Sequence, residues 1–250
     1  MLRRFLILAM AMAVLVAVPA FAYAAIEDAN SSIDQADAVI EYADALVEAA
    51  DGAVEAVDAV VEAVDLMVED AGAAVSAGNQ PFADEVMGDA DEAIEAAGGI
   101  IDGVDALMDV VTDLLFDTDD WVEEAIAEVE ALIAAPGNRP ILRAALNKLD
   151  KAHLAVEAAQ AESVLAHDAI HLADEAVHGP GGADEAIEFS IDNDNTESLI
   201  GLADIAVEFA DVQVELADAA VEAADAAVEA ADAAIEQAAN VLKAASRPKY

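Results

Sequence analysis

The chain has 250 residues, 58% of them apolar and only 4% aromatic, and its 53 acids against nine bases give a formal charge of −44. With no cysteine it can form no disulfide, thiolate metal site, thiolate nucleophile or attached c-type haem. So negative a chain repels nucleic-acid phosphates and anionic membrane surfaces and attracts cations, namely metal ions, polyamines or a basic protein; its positive mean hydropathy of +0.41 sets it apart from disordered acidic chains.

The first 24 residues read as a secretory signal peptide. Arg3 and Arg4 precede an apolar run from Phe5 to Val18, Pro19 ends it, and small-residue cleavage sites follow at Ala20-Phe21-Ala22 and Ala22-Tyr23-Ala24. The alternative, an uncleaved membrane anchor, needs about 20 apolar residues. No second segment is long and charge-free enough to span. A cleaved leader implies a periplasmic or secreted protein with no membrane span.

Four helical arms follow, about 26–75, 81–134, 140–191 and 196–246, with a short tail at 247–250. The breaks between them are SAGNQP (76–81), APGNRP (135–140) and DNDNT (192–196). Pro81 and Pro140 suit a first helical turn, Asn195 or Thr196 an N-cap, and Pro248 a stop. Two further interruptions are expected, at DTDD (117–120) in the second arm and at GPGG (179–182) in the third. GNQP and GNRP open the second and third arms and point to an internal hairpin repeat, 26–134 and 140–246. Short loops between long helices predict an all-α, elongated up-down four-helix bundle. Branched residues recur every seven at Val221, Val228, Ile235 and Leu242 among alanines. That period predicts left-handed, coiled-coil-like packing of alanine-rich heptad helices.

The first arm carries acids at Asp37, Glu41, Asp44, Glu48, Asp51, Glu55, Asp58, Glu62, Asp65 and Glu69; the fourth repeats the same 4-3-4-3 spacing from Asp204 through Asp218, Glu222, Asp225 and Glu229 to Glu236. Such steps put successive carboxylates on one helix face about 5–6 Å apart. Neighbours at that distance repel by about 0.7 kcal/mol each in water, so a row of ten loses about 6 kcal/mol before screening. That is comparable to the whole stability of a domain. The rows therefore call for counter-ions, bound cations or protons. Asp218, Glu222, Asp225, Glu229, Asp44, Glu48, Asp51 and Glu55 are candidate weak ligands for hard ions such as calcium or magnesium. No EF-hand is present, since DNDNTE (192–197) lacks the glycine and the later glutamate.

All four histidines, His153, His167, His171 and His178, lie in the third arm, at positions of the repeat where the other arms carry acid. Histidines four apart on a helix can share a divalent ion, and imidazole suits copper, nickel or zinc. His167 and His171 form the first candidate pair, with Asp174 and His178 as further ligands; His153 with Glu157 is a second candidate. No enzyme is expected. Glu175-x-x-His178 is a single E-x-x-H where di-iron bundles need two copies and further glutamates, and HExxH, a phosphate loop and a serine triad are missing from the sequence.

Export, helical hairpins, sevenfold repeats and stripe histidines together resemble the periplasmic small metal-binding protein family. The likeness is carried by HDAIHLADEAVHG (167–179) and AIEFSIDNDNTESLIGLADIAVEFAD (186–211), with AVSAGNQPFADEVMGDADEAIE (74–95) as a second copy. The resemblance implies a helical bundle that takes up copper and other divalent ions for sequestration or buffering, with His167, His171 and His178 as the positions that match. Most other positions that hold histidine in that family hold Asp or Glu here, which implies harder ions and weaker binding. The rival expectation is a self-associating envelope scaffold whose acids serve solubility alone. Arg139, Arg143, Lys148, Lys151, Lys243, Arg247 and Lys249 are expected to gather at one bundle end, where they could support a homo-oligomer or filament.

Overall fold

A computed structural model of the chain describes residues 2–134 and 140–246, with side chains from residue 26 onward. The protein is an all-α bundle. Five helices run in order: α1 (Leu2–Ser76), α2 (Gln80–Ala134), α3 (Pro140–His178), α4 (Ala183–Asp192) and α5 (Glu197–Ser246). Among the residues whose side chains are described, from 26 onward, no helix is long and apolar enough to cross a membrane. The expected signal peptide (1–24) falls on residues whose side chains lie outside the described set. The expected break at 135–139 and tail at 247–250 lie outside it altogether.

Burial follows the seven-residue pattern. Along α1 the buried residues Ile33, Ala36, Ile40, Ala43, Val47, Ala50 and Val54 step by three and four without a slip. Along α5 so do Val207, Ala210, Val214, Ala217, Val221, Ala224 and Val228. The α5 seam alternates alanine with a branched residue, and so does α1 as far as Val54, after which Val57, Val61, Val64 and Val68 continue it. A fully buried Ile, Leu or Val contributes about 1.5–3 kcal/mol, enough to offset a repulsive acidic flank.

The helices contribute segments to two compact units. The first comprises Met1–Tyr42, Leu114–Ala159 and Ala227–Tyr250. Its core is built on Ile33, Ile40, Leu115, Leu142, Leu149, Ile235 and Leu242, all fully buried. Ser32 donates to the Glu124 carboxylate at 3.2 Å, and Lys243 pairs with Asp34 at 3.0 Å. The described bases Arg143, Lys148, Lys151 and Lys243 all fall in this unit. Arg139, Arg247 and Lys249 lie outside the described residues. The second unit comprises Ala43–Asp113 and Gln160–Ala226. Its core holds Met87, Ile94, Met108, Ile170 and Ile187, fully buried.

The turns follow local chemistry. α1 ends with Gly78 at φ +78, its N–H on the Val75 carbonyl, while the Asn79 N–H reaches back to Ala74 at 2.8 Å. This is the left-handed glycine stop expected after a helix. Asn79 then accepts from Phe82 and Ala83 through its carbonyl and opens α2. GPGG does break the third arm: Gly181 has φ +80, and a Cβ on Gly182 would press on three carbonyls, of Ala176, Val177 and Gly179. Before α5, Asp194 and Asn195 both adopt positive φ, the left-handed region that short amide and carboxyl side chains tolerate. Thr196 takes the N-cap place through its carbonyl, accepting from Leu199 and Ile200. Asn195 is buried instead, donating to Asp84 Oδ1 at 2.9 Å and accepting from Ser190 at 3.1 Å.

The break expected at 117–120 does not occur, for α2 runs through it. Thr118 is fully buried on the core seam, and its hydroxyl donates to the Leu114 carbonyl one turn back at 2.8 Å. The polar run that reads as a turn is thus one buried threonine flanked by exposed or half-buried aspartates. Tertiary burial overrides local turn preference there.

Candidate metal centre

In every seven residues, the position just after the core alanine sits at the edge of the seam, and the position after the large core residue points further out. Acids occupy both on α1 and α5. The aspartates, from Asp37 to Asp65 and from Asp204 to Asp232, are half-buried, while the glutamates, from Glu41 to Glu69 and from Glu208 to Glu236, are exposed. What reads as one stripe is therefore an inner aspartate row and an outer glutamate row.

Within the second unit the inner rows of α1 and α5 face each other. Asp51 acts on Asp218, Asp58 on Asp211 and Asp204 on Asp65. As numbers rise on one helix they fall on the other, so the pair is antiparallel. The carboxyls of Asp218, Asp211 and Asp65 are raised above the usual carboxylate range, first by burial and then by neighbouring acids: facing Asp51 for Asp218, facing Asp204 for Asp65, and for Asp211 Glu215 on its own helix followed by facing Asp58. Oδ1 atoms of Asp51, Asp58, Asp211 and Asp218 are shut off from solvent and accept no hydrogen bond. Asp44, Asp51 and Asp218, with exposed Glu48, Glu55 and Glu222, are thus arranged as open-sided rows, and Asp225 and Glu229 continue them.

The corresponding edge between α2 and α3 carries a different pairing. His153 Nδ1 lies 2.8 Å from Asp119 Oδ1, in the first unit. His167 Nε2 lies 3.0 Å from Asp105 Oδ1 and 3.6 Å from Asp109, in the second. The histidines are fourteen apart in sequence and so are the two aspartates. One edge is aspartate against aspartate, the other histidine against aspartate.

Asp119, Glu123 and His153 bring one ligand atom each to within 4.8 Å of one another, the one such trio among the described residues. Asp119 and Glu123 stand four apart on α2 and share its face; His153 reaches them from α3. The imidazole and Asp119 are half-buried and Glu123 is exposed, which leaves an entry path. His153 Nε2 also lies 3.7 Å from Glu157 Oε1 on its own helix. A first-row ion binds nitrogen and oxygen at about 2.0–2.2 Å, so rotamer shifts of about 1 Å close the trio around one. One imidazole with two carboxylates suits copper, nickel, zinc or iron more than calcium. Trp121, the chain's sole tryptophan, lines a surface depression with Glu123 and Glu124.

The sequence-based candidates fare unevenly. His153 Nε2 and Glu157 Oε1 lie 3.7 Å apart, and α2 adds Asp119 and Glu123 as two further candidate donors. His167 turns to Asp105 rather than to His171, and among the described residues the acid that exposed His171 approaches is Glu175, at 3.9 Å. His178 Nδ1 lies 3.1 Å from Asp174 Oδ1. Among the described residues His167, His171, Asp174 and His178 therefore do not gather as one group: α3 spreads them over two edge positions, His167 pairs across to Asp105, and Asp174 and His178 pair with each other. Asp119 and Glu123 were not legible as candidate donors from α3 alone; for Asp119 the available signal was the interval of fourteen to Asp105, matching that from His153 to His167. No family model, curated protein or solved structure matches the chain.

Proposed function

We propose that the chain is an exported cation-binding protein that sequesters or buffers divalent metal ions, the role its likeness to the periplasmic small metal-binding proteins also implies. The supporting observation is the Asp119–Glu123–His153 trio, drawn from two helices and open on one side. A divalent ion replaces the contact between the His153 imidazole and Asp119 and is held by one nitrogen and two or three oxygens, with Glu157 the nearest further donor. The α1 and α5 rows offer a second, weaker class of sites, in which hard cations bind several carboxylates without being enclosed. Export rests on the leader, and a periplasmic or secreted location goes with it.

Titration with copper, nickel, zinc and calcium, followed by calorimetry and by Trp121 emission, tests this reading. A saturable tight class that quenches Trp121 with copper and is lost in His153→Gln is expected. Flat titrations with all four ions sink it and favour the scaffold reading.

A further inference from the structure

α5 has a second apolar face. Leu202, Ile205, Phe209, Val212 and Leu216 step by three and four and are each between 48% and 61% exposed. They are not part of the core seam, which passes through Ala203, Val207, Ala210 and Val214 on the other side of the helix. The stripe spans about 21 Å, or four turns. A solvated helix face ordinarily carries polar residues there; lone exposed apolar side chains need no explanation, but five in one line mark an interaction surface.

What borders the stripe identifies its occupant. Exposed Glu208 and Glu215 lie along one side, with Asp204, Asp211 and Asp218 beyond them, and past these the α1 row of Asp51, Asp58 and Asp65. Between Glu197 and Leu242 α5 has no basic residue, and neither has α1 between Ala43 and Ser76. We propose that this face binds a basic amphipathic helix, whose apolar residues pack on the stripe while its lysines and arginines reach the adjoining carboxylates. A helix laid in such a groove is read through anchors at this spacing. Facing charge of opposite sign sets its orientation and speeds its approach. A second copy of this chain is a poor occupant, because it brings acid rows of its own against these. The surface uses none of the Asp119, Glu123 and His153 side chains, so it stands or falls apart from that trio, though it shares its carboxylates with the weaker cation rows of α1 and α5.

The test uses the full chain and a synthetic helix of about 18 residues, enough to cover four turns, with leucine at the same spacing and lysine elsewhere. Saturable binding in the micromolar range is expected, weakening at least tenfold in Ile205→Ser/Phe209→Ser and again as salt rises. An analogue with glutamate in place of lysine should not bind. Leu202→Ser/Leu216→Ser gives an independent pair, and circular dichroism confirms that these exposed changes leave the helices intact. Equal binding to the serine variants means attraction by charge alone and overturns the proposal. So does a chain that sediments as a dimer dispersed by those same substitutions, since a second copy then covers the face.

Discussion

The imidazole of His178 fills the place that Gly98 leaves on α2: a Cβ built on Gly98 would overlap the ring. Gly98 is itself buried, and on α2 it occupies the edge position that Asp91 and Asp105 hold one repeat away on either side. His178 is the last residue of α3, tied to Asp174 at 3.1 Å just before the GPGG break, so the ring anchors the end of that helix on α2.

This relationship fixes the sign of a substitution. In a helix interior alanine is favoured over glycine by about 1 kcal/mol, but overpacking costs about 1–3 kcal/mol. Gly98→Ala should therefore lower the urea midpoint in the native background and raise it when combined with His178→Ala. A double-mutant cycle measures the coupling, and additive effects would rule out the ring–glycine fit.

Metal binding at the trio should depend on each helix. His153→Gln and Asp119→Asn are each expected to weaken copper-induced quenching of Trp121 at least tenfold, whereas His171→Gln, whose ring approaches Glu175, leaves it unchanged. Protons compete with the ion for the imidazole and carboxylate donors, so affinity should drop as pH falls. Loss of the tight class on His171→Gln with no change on Asp119→Asn would return the site to α3 alone.

Acidity should stabilise the fold. Asp211 and Asp218 have carboxyls raised by burial and by facing acids, so the folded chain binds their protons more tightly than the unfolded one does. Their repulsion is fully present above the raised values and is relieved as pH falls through them toward the ordinary aspartate range. The melting temperature should then rise as pH is lowered from neutrality toward the ordinary aspartate range. Asp211→Asn/Asp218→Asn should raise it at pH 7 and flatten the slope, each kcal/mol relieved being worth about 2–4 °C. A native chain whose melting temperature falls over that approach, or whose slope the double asparagine variant leaves unchanged, contradicts this.

The same repulsion is screened by ions. In dilute, chelator-treated buffer the chain should melt lower than at about 0.15 M salt, where the Debye length is about 8 Å. Millimolar magnesium should restore stability beyond what its ionic strength accounts for, by binding the folded rows. An unchanged melting temperature across these conditions would show the rows to be inert.

Asn195 gives a test of the last turn. Its buried amide links Asp84 and Ser190 at a positive φ of 43. Asn195→Ala should cost about 2–3 kcal/mol, combining lost hydrogen bonds with the left-handed penalty. Asn195→Gly, free of that penalty, should cost less, as read by chemical unfolding.

The sequence alone determined the all-α class, the arm boundaries near 76–81 and 192–196, the GPGG break, and a core seam of period seven. These follow from local rules: glycine and proline punctuate, and the branched residues at Val221, Val228 and Ile235 could be buried together only on one helix face. It also placed the acids and histidines at the edges of that face. Which edge meets which was decided by tertiary structure, because register between helices depends on loop geometry and core packing. That register set Asp51 against Asp218 but His153 against Asp119, and it drew His167 away from His171. It also buried Thr118 and so carried α2 through a run that reads as a turn. Spacing along one helix cannot distinguish a shared ligand set from four side chains with separate partners, since the partners come from the neighbouring helix.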